Sequence, residues 1–356
     1  MRAAFYAPMK PPGHPIPSGD RRIANLTMEA LRRAEFSVDL ASDLRVIDST
    51  GDGAAQARMA AAADVETAAI IARYRDRPPA LWFSYHCHHR APDLIGPRVA
   101  ETLGIPYAIG EPSISPKRRA GPWAAFAKAS EAAIARADRL FWMSERDRPA
   151  LEAAGHGPRM VALPAFLDPG PAVAPRAAGT PLRLLTVAMM RDGDKLESYK
   201  RLATALGQHS GPWQLTVIGD GPARAEVEAL FATWPGRVTF RGALDEGAIR
   251  RAYRNADLLL WPGVNEGIGL VWLEAQAAGC PVVAEDGPAA RAAVVGGRLA
   301  PPGNAKAFAD TMEAAAQHRL SLSARARAHI EAHHTLDAAA GILSAALAPL
   351  LTGAPA

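Results

Sequence analysis

Two glutamates, Glu266 and Glu274, are separated by seven residues in the sequence EGIGLVWLE. The glycines between them predict a sharp turn, and residues 270–278 have the composition of a helix. The N–H groups at the start of that helix would point outward, where the helix dipole favours an anion. A phosphate bound there would have one carboxylate on each side, and both could accept hydrogen bonds from hydroxyls. Because nucleotide sugars carry hydroxyls on both sides of a diphosphate, this spacing predicts a site for such a molecule.

The elements around the two glutamates predict a parallel sheet. Residues 258–260 are three leucines, as expected of a strand buried on both faces. Gly279 and Pro281 would end the helix, and residues 282–284 predict the next strand. Elsewhere, strands are predicted at 3–7, 37–41, 80–85, 105–109, 139–143, 159–164, 182–188, 214–217 and 238–240, and helices at 26–34, 53–74, 94–103, 123–137 and over most of 305–351. This alternation is typical of an α/β fold.

In this context, the sequence from Glu266 through Glu274 to Ala284 resembles the donor-site motif, E-x7-E, of retaining glycosyltransferases of the GT-B fold, family-four type (glycosyl transferases group 1). The resemblance extends over nearly the whole chain and is most specific between residues 182 and 303. It implies two Rossmann-like doubly wound domains facing a cleft. It also implies transfer of a sugar from a nucleotide-diphosphate donor to an acceptor, with the anomeric configuration kept.

The resemblance implies roles for the residues of this motif. Glu266, a catalytic candidate, would contact hydroxyls of the donor sugar, and Glu274 would contact the nucleotide ribose. The diphosphate would be held by the peptide N–H groups of Gly267, Ile268, Gly269 and Leu270. The family's proposed route is a front-face reaction in which a diphosphate oxygen takes the acceptor's proton. Retention rests on the resemblance, because no carboxylate in the sequence is independently recognisable as a nucleophile.

A second group of charges, Arg191 to Lys195, follows the first predicted strand of the second half. Cations at such a strand end can neutralise a diphosphate leaving group. The resembling family usually has the lysine five residues after the arginine, whereas Lys195 is four residues after Arg191, so Lys200 is an alternative. Catalysis would then be mainly leaving-group stabilisation, with no metal ion and no cofactor apart from the nucleotide-sugar co-substrate.

The turn IGDGP at residues 218–222 follows another predicted strand. Its Gly-x-Gly could begin a dinucleotide fingerprint, but Arg224 stands where the third glycine is required, which disfavours an oxidoreductase. The resemblance places Gly221 and Arg241 beside the nucleobase of the donor.

Three histidines and a cysteine, HCHH at residues 86–89, follow a predicted strand of the first half. Zinc is disfavoured because adjacent residues of an extended chain point to opposite faces, and no second pair of ligands lies nearby. The resemblance instead identifies His86 as the histidine that approaches the donor sugar from the first domain, and a structural role for it stays open.

Acceptor contacts are expected in the first half. The candidates are Gly19, Asp20 and Arg21, in the loop predicted after the first strand, and Glu111, at the end of another strand. Basic residues 117–119 could receive a phosphorylated or lipid-linked acceptor, or they could simply solvate a loop.

The 356-residue chain is long enough for two domains. We expect an acceptor-binding domain at 1–167, a linker at 168–181 with four prolines, a nucleotide-sugar-binding domain at 182–335, and a last helix within 336–356 that crosses back to the first domain.

Composition excludes several classes of protein. The net charge is +4 with no long basic run, which disfavours nucleic-acid binding. The two cysteines imply no disulfide framework and fit a reducing compartment. With no signal peptide and no long apolar segment, we expect a cytoplasmic protein, with peripheral contact to the inner membrane through the basic loops left open.

Two other functions fit the same sequence. A sugar phosphorylase of the same fold would use inorganic phosphate where the nucleotide's phosphate lies. A catalytically inactive paralogue would keep the donor site without turnover.

Overall fold

The computed structural model describes residues 1–16, 18–171 and 179–351. The chain divides into two compact units, one formed by Met1–Phe166 with Leu336–Ala356 and the other by Leu167–Thr335. The linker predicted at 168–181 includes residues 172–178, which lie outside the described part of the chain.

The first unit contains a six-stranded parallel sheet in the order β2-β1-β3-β4-β5-β6. Its strands are β1 (Arg2–Tyr6), β2 (Ser37–Ser42), β3 (Leu81–Cys87), β4 (Tyr107–Pro112), β5 (Arg139–Trp142) and β6 (Met160–Ala162). Its helices before residue 166 are α1 (Gly19–Arg33), α2 (Gly53–Tyr74), α3 (Gly96–Leu103), α4 (Ala124–Arg136) and α5 (Arg148–Ala153). The central strands are buried along almost their whole length, because helices cover both faces of a doubly wound sheet.

The second unit contains another six-stranded parallel sheet, in the order β12-β11-β10-β7-β8-β9. Its strands are β7 (Leu182–Val187), β8 (Trp213–Ile218), β9 (Val238–Phe240), β10 (Leu258–Leu260), β11 (Val282–Glu285) and β12 (Gly297–Ala300). Its helices are α6 (Asp194–Leu206), α7 (Arg224–Leu230), α8 (Glu246–Asn255), α9 (Leu270–Ala277), α10 (Pro288–Ala293), α11 (Ala305–Gln317) and α12 (Arg319–His333).

The last described helix, α13 (Leu336–Leu351), packs against α1 of the first unit. Asp337 at its start forms an ion pair with Arg33 at the end of α1, with 2.7 Å between Oδ1 and Nη1. None of the helices in the described ranges is long and apolar enough to cross a membrane.

The strand orders place one switch point in each sheet, where successive crossovers leave in opposite directions. These points lie between β1 and β3 in the first sheet and between β7 and β10 in the second. In doubly wound sheets, ligands bind outside the carboxyl ends of the strands at such a point. The residues that follow β1, β3, β7 and β10 are therefore the ones best placed to meet a ligand.

The start of α1 corrects the sequence-based prediction for Gly19, Asp20 and Arg21. They form the first turn of the helix rather than a loop, and the helix begins seven residues earlier than the predicted 26–34. Ser18 caps this end, since its hydroxyl accepts a hydrogen bond from the N–H of Arg21 at 3.2 Å. The negative charge of Asp20, in the first turn, also stabilises the helix through its favourable interaction with the helix dipole.

Other boundaries also differ from the prediction. Strand β3 continues through His86 and Cys87, which were expected to follow it, and helix α5 and strand β12 were not predicted. Both missed elements are short, and β12 carries a charged residue, Arg298, within an otherwise apolar segment. The helix at 53–74 is observed with the predicted bounds.

A buried carboxylate ties three elements of the second unit together. Asp257 is 1% exposed and lies just before β10. Its two oxygens accept hydrogen bonds from Nε and Nη2 of Arg183 in β7, at 3.0 and 2.7 Å, and from Nη1 of Arg319 in α12, at 2.9 Å. Removing one partner of such a buried group leaves uncompensated charges, at a cost of about 3 kcal/mol or more.

Replacing Asp257 with Asn should therefore lower the calorimetric melting temperature of the second unit by about 6–12 °C, because about 3 kcal/mol corresponds to such a shift for a unit of this size. The matched control is Asp310→Asn, which removes an exposed i,i+4 partner of Lys306 and should leave the melting temperature almost unchanged. Equal effects of the two substitutions would contradict the structural role of Asp257.

Candidate functional site

At the switch point of the second unit, the loop after β7 leads into α6 and the loop after β10 leads into α9. Lys195, in the first turn of α6, forms an ion pair with Glu266, its Nζ lying 2.7 and 3.0 Å from the two carboxylate oxygens. The indole Nε1 of Trp261 donates a second hydrogen bond to Oε2 of Glu266 at 3.0 Å. The Lys195 ammonium lies 5.2 Å from the Trp261 ring centroid, within cation–π range. The structure thus joins two predicted site residues, Lys195 and Glu266.

The loop that carries Glu266 is fastened to α6 by two further hydrogen bonds. The N–H of Val264 donates to Oγ of Ser198 at 3.0 Å, and Nδ2 of Asn265 donates to Oδ1 of Asp194 at 2.9 Å. Asn265 has a φ of 50°, in the left-handed region that asparagine tolerates better than most residues. The position of the Glu266 carboxylate is therefore fixed by α6 as well as by its own loop.

The same loop is shaped by the indole of Trp272, which is 1% exposed. Gly263 and Gly269 both have positive φ values, 72° and 71°, and a Cβ at either position would come within 3.0 Å of this ring. Nε1 of Trp272 also donates to the carbonyl of Trp261 at 3.3 Å. Glycine is required at both positions for the backbone to pass this close to the ring.

Helix α9 starts at Leu270 after Gly269, and no side chain caps its first N–H groups. An uncapped helix N-terminus at a strand switch point is a favourable place for an anion. Glu274 lies in the second turn of α9, where its Oε2 accepts a hydrogen bond from the Tyr253 hydroxyl at 3.0 Å. Gly267 and Ile268 lie in the loop that leads to this helix.

The remaining donor-site candidates are not drawn into this group of contacts. Arg191 is exposed in the loop after β7, and Lys200 is exposed on α6. Arg241 is also exposed, and its N–H donates to the carbonyl of Val217 at 2.9 Å. Gly221 has a φ of 154°, and a Cβ there would come within 3.0 Å of the Met190 carbonyl, so packing alone explains this glycine.

In the first unit, three predicted residues meet at the other switch point. Nδ1 of His86, at the end of β3, lies 3.3 Å from Oδ1 of Asp20 in α1 and 4.0 Å from Oε2 of Glu111 in β4. The hydroxyl of Tyr85 donates to Oε2 of Glu111 at 2.7 Å. His86 and Glu111 both adopt positive φ, 61° and 55°, which is strained for residues other than glycine. Such strain is concentrated at functional sites.

The charges of this group are coupled. Burial alone would lower the pKa of His86, but the carboxylates of Glu111 and Asp20 raise it to about 9. Burial raises the pKa of Glu111 in spite of the neighbouring His86. Burial alone would also raise the pKa of Asp20, but the hydrogen bond and the charge interaction with His86 lower this pKa below its usual value. The geometry therefore favours an imidazolium at His86 near neutral pH.

The two other acceptor candidates have local roles. Arg21 donates from Nε to the carbonyl of Pro12 at 3.2 Å, which ties α1 to the proline-rich segment before it. Gly19 is the first residue of α1, and a Cβ there would meet no atom within 4 Å.

The histidine segment does not form a metal site. His86 and His88 have ring centroids 4.6 Å apart, whereas Cys87 points into the core and lies 3.5 Å from Oγ of Ser130. In the described residues, no group of three His, Cys, Asp or Glu side chains is arranged to hold a metal ion.

Sequence reasoning missed the aromatic residues that orient the candidate carboxylates. Trp261 contacts Glu266, Tyr253 contacts Glu274, and Tyr85 contacts Glu111. Trp261 is the last residue of a strand predicted at 258–261, and a position at a strand end was an available signal. Tyr253 is 21 residues from Glu274 and Tyr85 is 26 from Glu111, so no local pattern could have linked them.

Replacing Gly269 with Ala should destabilise the second unit by about 3 kcal/mol, since it adds overpacking against Trp272 to the cost of a left-handed non-glycine residue. The matched control is Gly236→Ala, at a φ of 75° but in open space, which should cost about 1 kcal/mol. The measurement is urea unfolding of both variants. Equal losses would show that Trp272 does not constrain this loop.

Replacing Asp20 with Asn should lower the pKa of His86 from about 9 toward its usual 6.5, as followed by NMR titration of the imidazole. In the wild type, the stability that His86 protonation contributes is full below about pH 6.5 and is lost as pH rises through 9. The variant should lose less stability over that interval. Asp64→Asn, on the exposed face of α2, is the control, and an unchanged His86 titration would refute the coupling to Asp20.

Comparison with known proteins shows which proteins this chain resembles. Residues 182–318 match the family described as Glycosyl transferases group 1. The 2-deoxystreptamine glucosyltransferase of Streptomyces kanamyceticus is 28% identical over 216 residues, which cover 54% of this chain and 55% of that protein. The chain spans 14 to 55% of the length of the curated relatives that it matches.

Two solved structures resemble the chain over nearly its full length. Sucrose-phosphate synthase from Thermosynechococcus elongatus gives a TM-score of 0.77 at 18% identity, covering 99% of this chain and 100% of that one. The Anabaena protein HepE, in complex with UDP, gives a TM-score of 0.74 at 15% identity, and the match covers 98% of this chain and 100% of that one. The α/β fold with two Rossmann-like domains, as in GT-B glycosyltransferases, is thereby confirmed. Through residues 182–318, this chain is similar to the glycosyl transferases group 1 family.

Proposed function

We propose that the protein is a retaining glycosyltransferase that moves a sugar from a nucleotide-diphosphate sugar to a glycan, lipid-linked or small-molecule acceptor. The observation that carries this proposal is the ion pair of Lys195 with Glu266 at the switch point of the second sheet, beside the uncapped start of α9. It combines a cation, a positive helix terminus and a hydroxyl-accepting carboxylate.

The diphosphate of the donor is expected to bind at the N-terminus of α9. The N–H groups at residues 267–270 and the positive end of the helix dipole favour an anion there. Lys195 supplies a charge from α6, and Arg191 is an exposed cation in the loop just before that helix. The match to family members and the UDP held by the Anabaena neighbour support a nucleotide as the ligand.

The two glutamates are expected to bind the hydroxyls of the donor. Glu266 is fixed by Trp261 and Lys195, so its oxygens can accept hydrogen bonds from the sugar without a large loss of side-chain entropy. Glu274, oriented by Tyr253, is a suitable acceptor for the ribose hydroxyls. Neutralising Glu266 would therefore weaken sugar binding, and neutralising Glu274 would weaken nucleotide binding.

In the proposed reaction, the bond between the anomeric carbon and the diphosphate oxygen breaks while the acceptor hydroxyl attacks the same face of the sugar. The acceptor's proton passes to the departing diphosphate oxygen. Lys195, Arg191 and the start of α9 stabilise the negative charge that develops on the leaving group. This scheme requires no metal ion. In the first unit, His86 is assigned to the donor sugar, and Asp20 and Glu111 to the acceptor.

The first test is thermal stabilisation of the protein across UDP, GDP and ADP. A nucleotide at about 100 times its Kd should add about 2.7 kcal/mol of stability. Glu274→Gln and Lys195→Ala should both remove this effect, because they delete a ribose contact and a phosphate contact. The matched control, Glu313→Gln, alters an exposed glutamate of α11 in the same unit and should leave the effect intact.

Turnover distinguishes the proposed enzyme from the two alternatives. A transferase releases the nucleoside diphosphate from its sugar donor when an acceptor is added, and NMR of the product gives the anomeric configuration. Stabilisation by inorganic phosphate without any nucleotide effect would replace the transferase with a phosphorylase. Nucleotide binding without release across a broad acceptor panel would favour an inactive paralogue.

A further inference from the structure

A cluster of cations surrounds one tryptophan at the carboxyl-end edge of the first unit's sheet. Trp123 immediately precedes α4, and the guanidinium carbons of Arg118 and Arg90 lie 4.5 and 5.7 Å from its ring centroid. The ring of His89 stands edge-on to the same tryptophan, with 6.3 Å between centroids. None of these four side chains belongs to the candidate donor site, and only Arg118 lies among the basic residues 117–119 for which an acceptor contact was considered from the sequence.

The two guanidiniums are not neutralised by the protein. Among the residues that the structure describes, no carboxylate lies within 4.0 Å of Arg90 or Arg118, whereas the neighbouring Arg119 is paired with Glu131 at 2.9 Å. The nearby carboxylate of Asp48 is engaged elsewhere. Its oxygens accept hydrogen bonds from the N–H groups of residues 50 and 51 and from the side chain of residue 56. Two cations are thus held together around one ring without an internal counter-charge.

Hydrogen bonds to the backbone position Arg90 and Trp123 before any ligand binds. His88 and Ala91 exchange N–H···O bonds of 3.2 and 2.9 Å across a tight turn that holds Arg90, and the carbonyl of Arg90 accepts from the N–H of Asp48 at 2.9 Å. The indole Nε1 of Trp123 donates to the carbonyl of Asp48 at 3.2 Å. Preorganisation of this kind lowers the entropic cost of binding.

His89 provides an unused hydrogen-bonding group beside these cations. Its Nε2 is buried and has no hydrogen-bond partner, although buried polar atoms are normally satisfied. Burial, then the charges of Arg90 and Arg118, lower the pKa of His89. A neutral imidazole with its proton on Nε2 could donate to an anion without adding a third positive charge.

The cluster adjoins the candidate acceptor residues through a row of rings. His86, which lies beside Asp20, has its ring 4.6 Å from that of His88, and His88 lies 5.6 Å from His89. An acceptor bound next to His86 could therefore extend a charged group to Trp123.

We propose that Arg90 and Arg118, with Trp123 and His89, bind the phosphate group of the acceptor. The assignment of this ligand as the acceptor rests on the proposed glycosyltransferase function, but the phosphate site itself does not. Two guanidinium groups match the charge of a phosphate monoester dianion and can each bind it in bidentate fashion. The phosphate can belong to a soluble sugar phosphate or to a lipid headgroup.

The test measures binding of two probes that share a phosphate monoester. Glycerol 3-phosphate is titrated by calorimetry, and vesicles of phosphatidylcholine with or without phosphatidic acid are used in co-sedimentation. The double substitution Arg90→Gln with Arg118→Gln should weaken binding of whichever probe is recognised by about tenfold or more, because it removes charge-assisted hydrogen bonds. Melting curves without ligand check that this variant is folded.

The matched control is the double substitution Arg75→Gln with Arg77→Gln. It removes the same charge from exposed positions beyond the far end of α2, about 33 Å along the helix from the end that contacts residue 122. Binding that is lost in the cluster variant and kept in this control supports the site. Equal losses of binding in the two double variants would show that net charge alone explains the effect, and would overturn the proposed phosphate site.

The probes also identify the source of the phosphate and separate this inference from the proposed function. Binding of glycerol 3-phosphate that depends on the two arginines indicates a soluble acceptor. Binding only to vesicles with phosphatidic acid, again dependent on the two arginines, indicates a lipid acceptor. Binding of neither probe, or tighter binding of glucuronate than of glycerol 3-phosphate, would overturn the phosphate site. Nucleotide stabilisation through Glu274 tests the donor site independently, so either conclusion can fail alone.

Discussion

The indole of Trp272 leaves no room for a side chain at either glycine of the loop before α9. Gly263 and Gly269 both take left-handed conformations against this ring, and the residues between them have to bulge away from it. That bulge carries Glu266 toward α6, where Lys195 and Trp261 hold its carboxylate. One close packing contact thus sets the geometry of the candidate donor site, and the uncapped start of α9 follows directly from it.

The strand order explains why this contact occurs where a ligand can use it. The crossovers after β7 and β10 leave on opposite sides of the sheet, so the loops that follow these two strands diverge and leave a crevice at their carboxyl ends. Lys195 lies at the start of α6, after the first of these loops, and Glu266 lies in the second loop. Their ion pair joins the two segments. Asp257 stabilises the same arrangement from the opposite end of the strands, because it joins β7 to the start of β10 and to α12.

The first unit uses the same topology with different chemistry. Its switch point holds the His86 imidazole between two carboxylates, on a backbone that is strained at both His86 and Glu111. Farther along the same edge, the loops after β3 and β4 bring Arg90 and Arg118 to Trp123. The first unit therefore offers groups of both charges to a ligand, as the proposed phosphorylated acceptor requires. The second unit offers cations and a helix terminus to the diphosphate of the proposed donor.

The sequence by itself determined the α/β fold, the parallel strands and the residue types at the donor motif, because buried strands, glycine turns and strand-end charges are local signals. It also selected Lys195 as one of two lysines, but only the tertiary structure paired it with Glu266, since the two residues are 71 positions apart. The start of α1 was placed too late because the Ser18 cap lies within a proline-rich segment that reads as a loop. The contacts of Tyr253 with Glu274, of Tyr85 with Glu111 and of Trp123 with Arg90 were decided by long-range packing. Contacts between distant strand ends depend on strand order, and no local pattern of residues encodes that order.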